Sequence, residues 1–257
     1  MESENFHHDL AVLAWQVELG ADEAIADAPI DRYAIPDVSE KLKPTVPAPQ
    51  VTSVSDPVQV AAEIAAAATS LEDLAAAMSA YPHCELRKGA RKLVFSDGIP
   101  GARVMLVGEA PGRDEDLAGK PFVGRAGQLL DKMLDAIDLG RARADAPVYI
   151  TNVLPWRPPQ NRDPKPAEIA MMKPFLLRHI ELAAPEVLLI VGNWSCQALL
   201  GKRGITRLRG TWTEAAGRPA LPIFHPAYLL RAPEFKREAW ADLLSLKKRL
   251  MGDGARR

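Results

Sequence analysis

Apolar positions along the chain follow two regimes. Between residues 8 and 20 they recur at helical spacing, with Leu10, Leu13, Ala14 and Val17 on one stripe, which predicts a short amphipathic helix. From residue 101 onward the pattern becomes short unbroken apolar runs, at 104–107, 148–151, 187–191 and 221–224. These alternate with segments of helical periodicity at 126–138, 166–183, 193–200 and 234–250. A strand buried on both faces reads as a continuous apolar run, because neither face meets water. The alternation therefore predicts an α/β chain: three layers, α/β/α, around a central four-stranded parallel sheet.

Between the two regimes the pattern lapses. The stretch 43–57 carries Pro44, Pro47, Pro49 and Pro57 and has little capacity to form a core. It predicts a linker, with a boundary near residue 55. Residues 1–55 are then a short helix plus an acidic, proline-rich linker, 56–252 a folded domain and 253–257 a basic tail. Asp56-Pro57 pairs a capping side chain with proline at a first helical position. The run from Ser70 to Asp73 has the form of a capping box and opens a second short helix to about Ala80.

Charge changes this picture modestly. The 257 residues have a net charge of −1, which is a poor match to a polyanion-binding protein. The halves differ, however. Residues 1–100 hold 7 basic and 16 acidic side chains, and residues 101–257 hold 25 and 17. A basic C-terminal portion is compatible with phosphate contacts, and an ordinary solvated surface explains it equally well. The two cysteines, Cys84 and Cys196, exclude a disulfide scaffold and suit a reducing cytoplasm. A zinc site or an all-cysteine cluster needs more thiolates than that. The first residues are polar and acidic, unlike a secretory leader, and no apolar run is long enough to span a bilayer, so no membrane association is expected.

Candidate chemistry gathers where the strands end. In parallel sheets ligands bind beyond the carboxyl ends of the strands. Three of the four predicted strands end in polar segments: Gly108-Glu109-Ala110-Pro111-Gly112, Thr151-Asn152 and His225-Pro226. The first reads as a tight turn whose glycines let backbone approach a ligand. It lacks the Gly-Lys-Ser/Thr ending of a phosphate-binding loop. Phe122 lies among Gly119, Gly124 and Gly127, a setting suited to stacking on a flat ligand such as a base. An anchor fixing the loop to the core is the alternative. Asn152 offers a donor and an acceptor, enough to read the edge of a base, although a turn asparagine looks the same in sequence. The loop PWRPPQNRDPKP (155–166) is rigid and basic and could hold a nucleic-acid strand through Arg157 and Arg162. His225, held extended by Pro226, can donate into a cleft, and Arg231 can bind a phosphate.

Four segments in order, GEAPGRDED, GKPFVGRAGQLLDKML, ITNVLPWRPPQNRDPKP and HPAYLLR, resemble family 4 of the uracil-DNA glycosylase superfamily. The resemblance runs from about residue 71 to 250. It implies a repair enzyme that hydrolyses the N-glycosidic bond of uracil in DNA and leaves an abasic site. It implies Glu109, Asn152 and His225 as catalytic residues. Glu109 and Ala110 would line the water and sugar side, with Gly108 beside them. Phe122 would stack on the flipped uracil, Asn152 would bond its edge and His225 would lie near O2. Glu115 and Asn161 match further positions that shape the site, and Arg231 a phosphate or loop-ordering contact.

One departure matters. The family usually holds a 4Fe–4S cluster through four cysteines, and the corresponding positions here are Tyr81, Cys84, Trp156 and Met172. Tyrosine, tryptophan and methionine cannot replace three thiolates. No cofactor and no metal are therefore expected, with Trp156 and Met172 filling the space as apolar core. Two other readings remain open: a glycosylase for hypoxanthine, xanthine or other deaminated bases, and a non-catalytic module that binds uracil-DNA. Single- or double-stranded uracil-containing DNA is the expected partner. The N-terminal helix is a possible docking element for another protein.

Overall fold

The computed structural model describes residues 6–20 and 56–254. The predicted linker and the last residues of the basic tail lie outside the described residues. The chain divides into two units, Met1–Ser53 and Val54–Arg257. In the first, α1 (Phe6–Glu18) is the predicted helix, and its Leu10, Leu13, Trp15 and Val17 are exposed.

The second unit opens with α2 (Pro57–Ala67) and α3 (Leu71–Ala80). Both start as the sequence dictates. The Asp56 carboxylate accepts from the Val58 N–H at 3.0 Å, and the Ser70 hydroxyl accepts from the Asp73 N–H at 3.0 Å. Each bond satisfies a backbone donor that a helix end leaves orphaned. A single turn, α4 (Leu86–Gly89), precedes the sheet.

Chain order then runs β1 (Asp97–Gly98), β2 (Val104–Gly108), α5 (Arg113–Ala118), α6 (Arg125–Asp135), β3 (Val148–Asn152), α7 (Pro166–Ala183) and β4 (Val187–Val191). It continues through α8 (Gly192–Leu200), α9 (Ile205–Leu208), β5 (Thr213–Ala215), β6 (Arg218–Ile223), α10 (Pro226–Arg231) and α11 (Lys236–Gly254). The strand order is β1-β3-β2-β4-β6-β5. The central four strands are parallel, as predicted. The sheet is nonetheless six-stranded and mixed, because β1 and β5 add short antiparallel edges. These edges carry two and three residues and no apolar run, so hydrophobic patterning gave no sign of them.

Alternation along the buried strands divides the core into two layers. Met105, Val107, Tyr149, Leu188 and Ile190 face one side, where they join Leu74 of α3 and Phe175 and Leu176 of α7. Val104, Leu106, Val148, Ile150, Leu189 and Val191 face the other, with Leu130 and Leu134 of α6 and Leu243 and Leu246 of α11. Period-two geometry sends neighbouring side chains to opposite faces, so two helical layers are needed to cover the sheet. The three-layer α/β/α expectation holds.

Candidate active site

The chain order places β3 on one flank of β2 and β4 on the other, so the crossover direction reverses at β2. A crevice forms at such a point, beyond the carboxyl ends. Here it is a cavity of about 700 Å³ whose walls include Glu109, Ala110, Phe122, Asn152 and His225. The strands deliver these residues directly. Gly108 ends β2 and is the register partner of Asn152 at the end of β3. His225 follows β6 and caps α10. The convergence read from the strand ends is present.

Gly108 is required by close approach. A Cβ there would overlap Asn152 Oδ1 and the Phe122 ring, so backbone, amide and aromatic ring meet at one point. Asn152 is buried, and its Oδ1 has no hydrogen-bond partner among the described residues. An unpaired buried acceptor costs about 1–3 kcal/mol, so its persistence in a cavity wall marks a place for a ligand donor.

Phe122 differs from expectation. Read as a ring free to stack on a ligand, with a core anchor as the alternative, it is only 6% exposed and joins the core layer of Leu106 and Leu130. The ring also stacks beside His225, with centroids 5.6 Å apart and planes inclined by 28°. Its backbone is left-handed, with φ of 55°. That conformation costs a non-glycine residue roughly 1–3 kcal/mol and must be held by its surroundings. Three contacts hold it. Glu115 accepts from the Val123 and Gly124 N–H groups, both at 2.9 Å, and from Gly112 at 3.0 Å. Arg141 donates to the Pro121 and Phe122 carbonyls at 3.0 and 2.9 Å while paired with Asp97 and Asp131. Gly127 completes the set, since a Cβ there would overlap the Phe122 carbonyl. Glu115 thus spends one carboxylate oxygen on the loop and the other on the start of its own helix. The segment read as a tight turn after β2 leads directly into α5, which carries Glu115 into place.

Two titrations follow from the walls. Burial, helped by the charge of Asp163 and opposed by Arg203, raises the Glu109 carboxyl to about 7. Burial, aided by the Arg231 charge, lowers His225 to about 4. The imidazole is therefore neutral at physiological pH. Its Nδ1 accepts from the Ala227 N–H at 3.1 Å, so the neutral ring carries its proton on Nε2. The fold thereby sets the tautomer and leaves one N–H to donate.

The predicted basic contacts fare differently. Arg231 is exposed in the cavity wall and forms no salt bridge among the described residues. Arg162 also reaches the wall, but both of its terminal nitrogens meet Glu168, at 2.9 and 2.5 Å. Arg157 donates to Asn161 Oδ1 at 2.7 Å and is not in the wall, whereas Asn161 is. Sequence reasoning missed Asp163, Asn193, Trp194 and Arg203, which also line the cavity. The missed signal was Gly192-Asn193, a polar ending to the fourth strand. Gly192 has φ of +86°, and a Cβ there would press on that of His225 at 3.2 Å.

The four residues that the resemblance matches to cluster cysteines belong to one apolar layer. Tyr81, Cys84, Trp156 and Met172 are each at most 3% exposed. The Tyr81 hydroxyl donates to the Pro57 carbonyl at 2.6 Å, and its ring meets Phe175 edge-on. Burial pushes the Cys84 thiol up, away from the thiolate a metal requires. No group of three or more His, Cys, Asp or Glu suited to a metal occurs among the described residues. This donor set does not fit a 4Fe–4S cluster.

Comparison with known proteins agrees with the geometry. The model of the uracil DNA glycosylase superfamily matches residues 95–244. The chain is 39% identical over 182 residues to a type-4 uracil-DNA glycosylase of Archaeoglobus fulgidus, covering 67% of this chain and 89% of that protein. It is likewise 39% identical over 176 residues to the Thermotoga maritima protein of that name, covering 66% and 90%. The Saccharolobus solfataricus protein of that name is 38% identical over 176 residues, covering 65% and 80%.

Proposed function

This chain belongs to the uracil DNA glycosylase superfamily, and we propose that it hydrolyses the N-glycosidic bond of uracil in DNA to start base excision repair. The observation that carries this reading is the orphaned Asn152 acceptor beside the Phe122 ring and the neutral His225 donor. A base inside a duplex cannot reach such a pocket, so the nucleotide flips out or arrives unpaired. Uracil then stacks on Phe122, and its N3–H fills the vacant Asn152 acceptor while the amide N–H bonds O4. Cytosine reverses that donor and acceptor order and leaves buried groups unpaired. Such a mismatch supports discrimination of about 10⁴-fold or more.

Cleavage breaks the bond between C1′ and N1. The electron pair leaves on uracil, and the sugar acquires oxocarbenium character. The Nε2–H of His225 stabilises the charge growing on O2. One such donor contributes roughly 3–4 kcal/mol at the transition state. Glu109, as the carboxylate, stabilises the sugar cation and orients the water that attacks C1′. Arg231, Arg162 and Arg157 are proposed phosphate contacts, with Arg231 the strongest because it lies exposed in the cavity wall and forms no salt bridge among the described residues. Residues 56–252 carry this activity as one domain in the cytoplasm.

Among the described residues no helix is long and apolar enough to cross a membrane. We infer that Trp156 and Met172, with Tyr81, take the place of an iron–sulfur cluster as packed apolar core. The purified protein is expected to release uracil from single- and double-stranded oligonucleotides while metal analysis finds no iron. Four irons per chain would refute the cluster's replacement. Absence of abasic product would refute the enzyme reading and favour a binding module, and equal release of hypoxanthine would widen the substrate class.

The pH dependence follows from Glu109. The carboxylate is the working form, so kcat/KM is expected to rise with pH through a midpoint near 7, falling about tenfold per unit below it. His225 is already neutral across that range and adds no step of its own. Asp163→Asn removes a charge that raises Glu109, so the midpoint moves to lower pH. A flat profile from pH 5 to 9 in the parent protein would contradict this role for Glu109.

A further inference from the structure

In the cavity wall, one pair makes no contact with uracil or the reacting sugar in the steps above, although the charge of Arg203 bears on Glu109. The Arg203 guanidinium lies 4.0 Å from the centroid of the Trp194 ring. Trp194 is half-buried against the apolar layer, so its position is fixed from behind. Arg203 is exposed and forms no salt bridge among the described residues. Its loop is fixed as well. Asn193 Oδ1 accepts from the Gly204 and Ile205 N–H groups at 3.0 and 2.9 Å, tying the segment after Arg203 to α8. Both side chains line the same cavity as Asn152 and His225.

A guanidinium 4.0 Å over an aromatic ring is backed on that side and leaves its remaining surface to the cavity. That surface is cationic and forms no salt bridge among the described residues, although its charge reaches Glu109. Unpaired nucleobases stack on guanidinium planes, and the adjoining phosphate is drawn to the charge. The geometry points to a second subsite: Arg203, backed by Trp194, holds the unpaired deoxynucleotide beside the flipped one. The assignment rests on the DNA-glycosylase reading for its ligand. It adds a residue that binds strand rather than uracil, and it favours single-stranded DNA because a paired base cannot stack there.

The test uses full-length protein and a uracil-free, thymidine-rich single strand, so binding is read apart from catalysis. Fluorescence anisotropy is followed as salt is varied. Arg203→Met is expected to weaken the complex about tenfold and to reduce the salt slope by about 0.7, the loss of one phosphate neutralised on a single strand. Arg203→Lys keeps the slope and still weakens binding at least threefold, because lysine carries charge without a stacking plane. Trp194→Ala, which leaves the Arg203 charge but removes its backing, behaves as Arg203→Lys, with weaker binding at an unchanged slope, and Trp194→Phe, which retains an aromatic backing, stays close to the parent. On a fully paired duplex Arg203→Lys matches the parent. Binding of Arg203→Met within twofold of the parent at an unchanged slope would overturn the subsite. Arg203→Lys equal to the parent on single strands would do so too, reducing Arg203 to a point charge. Parent protein that shows the Arg203 dependence yet releases no uracil would sink the enzyme reading and leave the subsite standing.

Discussion

His225→Asn is expected to lower kcat for uracil release by about 10²–10³-fold with the fold intact. The ring serves two purposes that this substitution separates. Its Nδ1 caps α10 by accepting from the Ala227 N–H, and its Nε2–H remains for the substrate. Asparagine is among the best capping residues, so the helix start survives, but its shorter side chain cannot place a donor where the imidazole did. His225→Ala loses the cap as well, at a further cost of about 0.5–2 kcal/mol in stability. Comparing the two variants by single-turnover kinetics and thermal unfolding separates chemistry from folding. A His225→Asn enzyme turning over at the parent rate would remove histidine from the mechanism.

Asn152→Leu is expected to abolish measurable uracil release and, at the same time, to raise Tm by a few degrees. The two effects share one cause. In the free protein Asn152 Oδ1 is buried without a partner. Leucine keeps the same forked outline, with bulkier methyls that the open side of the cavity admits, and removes that acceptor, relieving about 1–3 kcal/mol. For a domain of this size each kcal/mol shifts Tm by roughly 2–4 °C. The same acceptor is what uracil N3–H requires, so the more stable variant has lost the group that reads the base. Such opposition between stability and activity is expected at a preorganised site. A variant that is both markedly less stable and inactive would argue that Asn152 is structural.

Much of the fold was legible because its signals are local. The unbroken runs that became β2, β3, β4 and the end of β6 report burial on both faces, and Asp56 and Ser70 announce helix starts through bonds spanning two or three residues. Glu109, Asn152 and His225 were legible for the same reason. Each directly ends or follows an apolar strand, and parallel strands bring their ends to one edge.

What only the tertiary structure decided depends on groups far apart in sequence. The left-handed Phe122 is held by Arg141, nineteen residues on, and by Glu115 from a helix that the turn-like GEAPGRDED segment concealed. The Glu109 carboxyl is raised by burial and by Asp163 on the loop after β3, and Arg162 in the cavity wall is paired with Glu168. The Trp194–Arg203 pair spans a helix and a loop with no shared motif. A sequence displays periodicity and turn chemistry, which act over a few residues. Electrostatic environment and backbone strain sum over whatever the fold brings within several ångströms, and that sum exists only once the sheet has assembled.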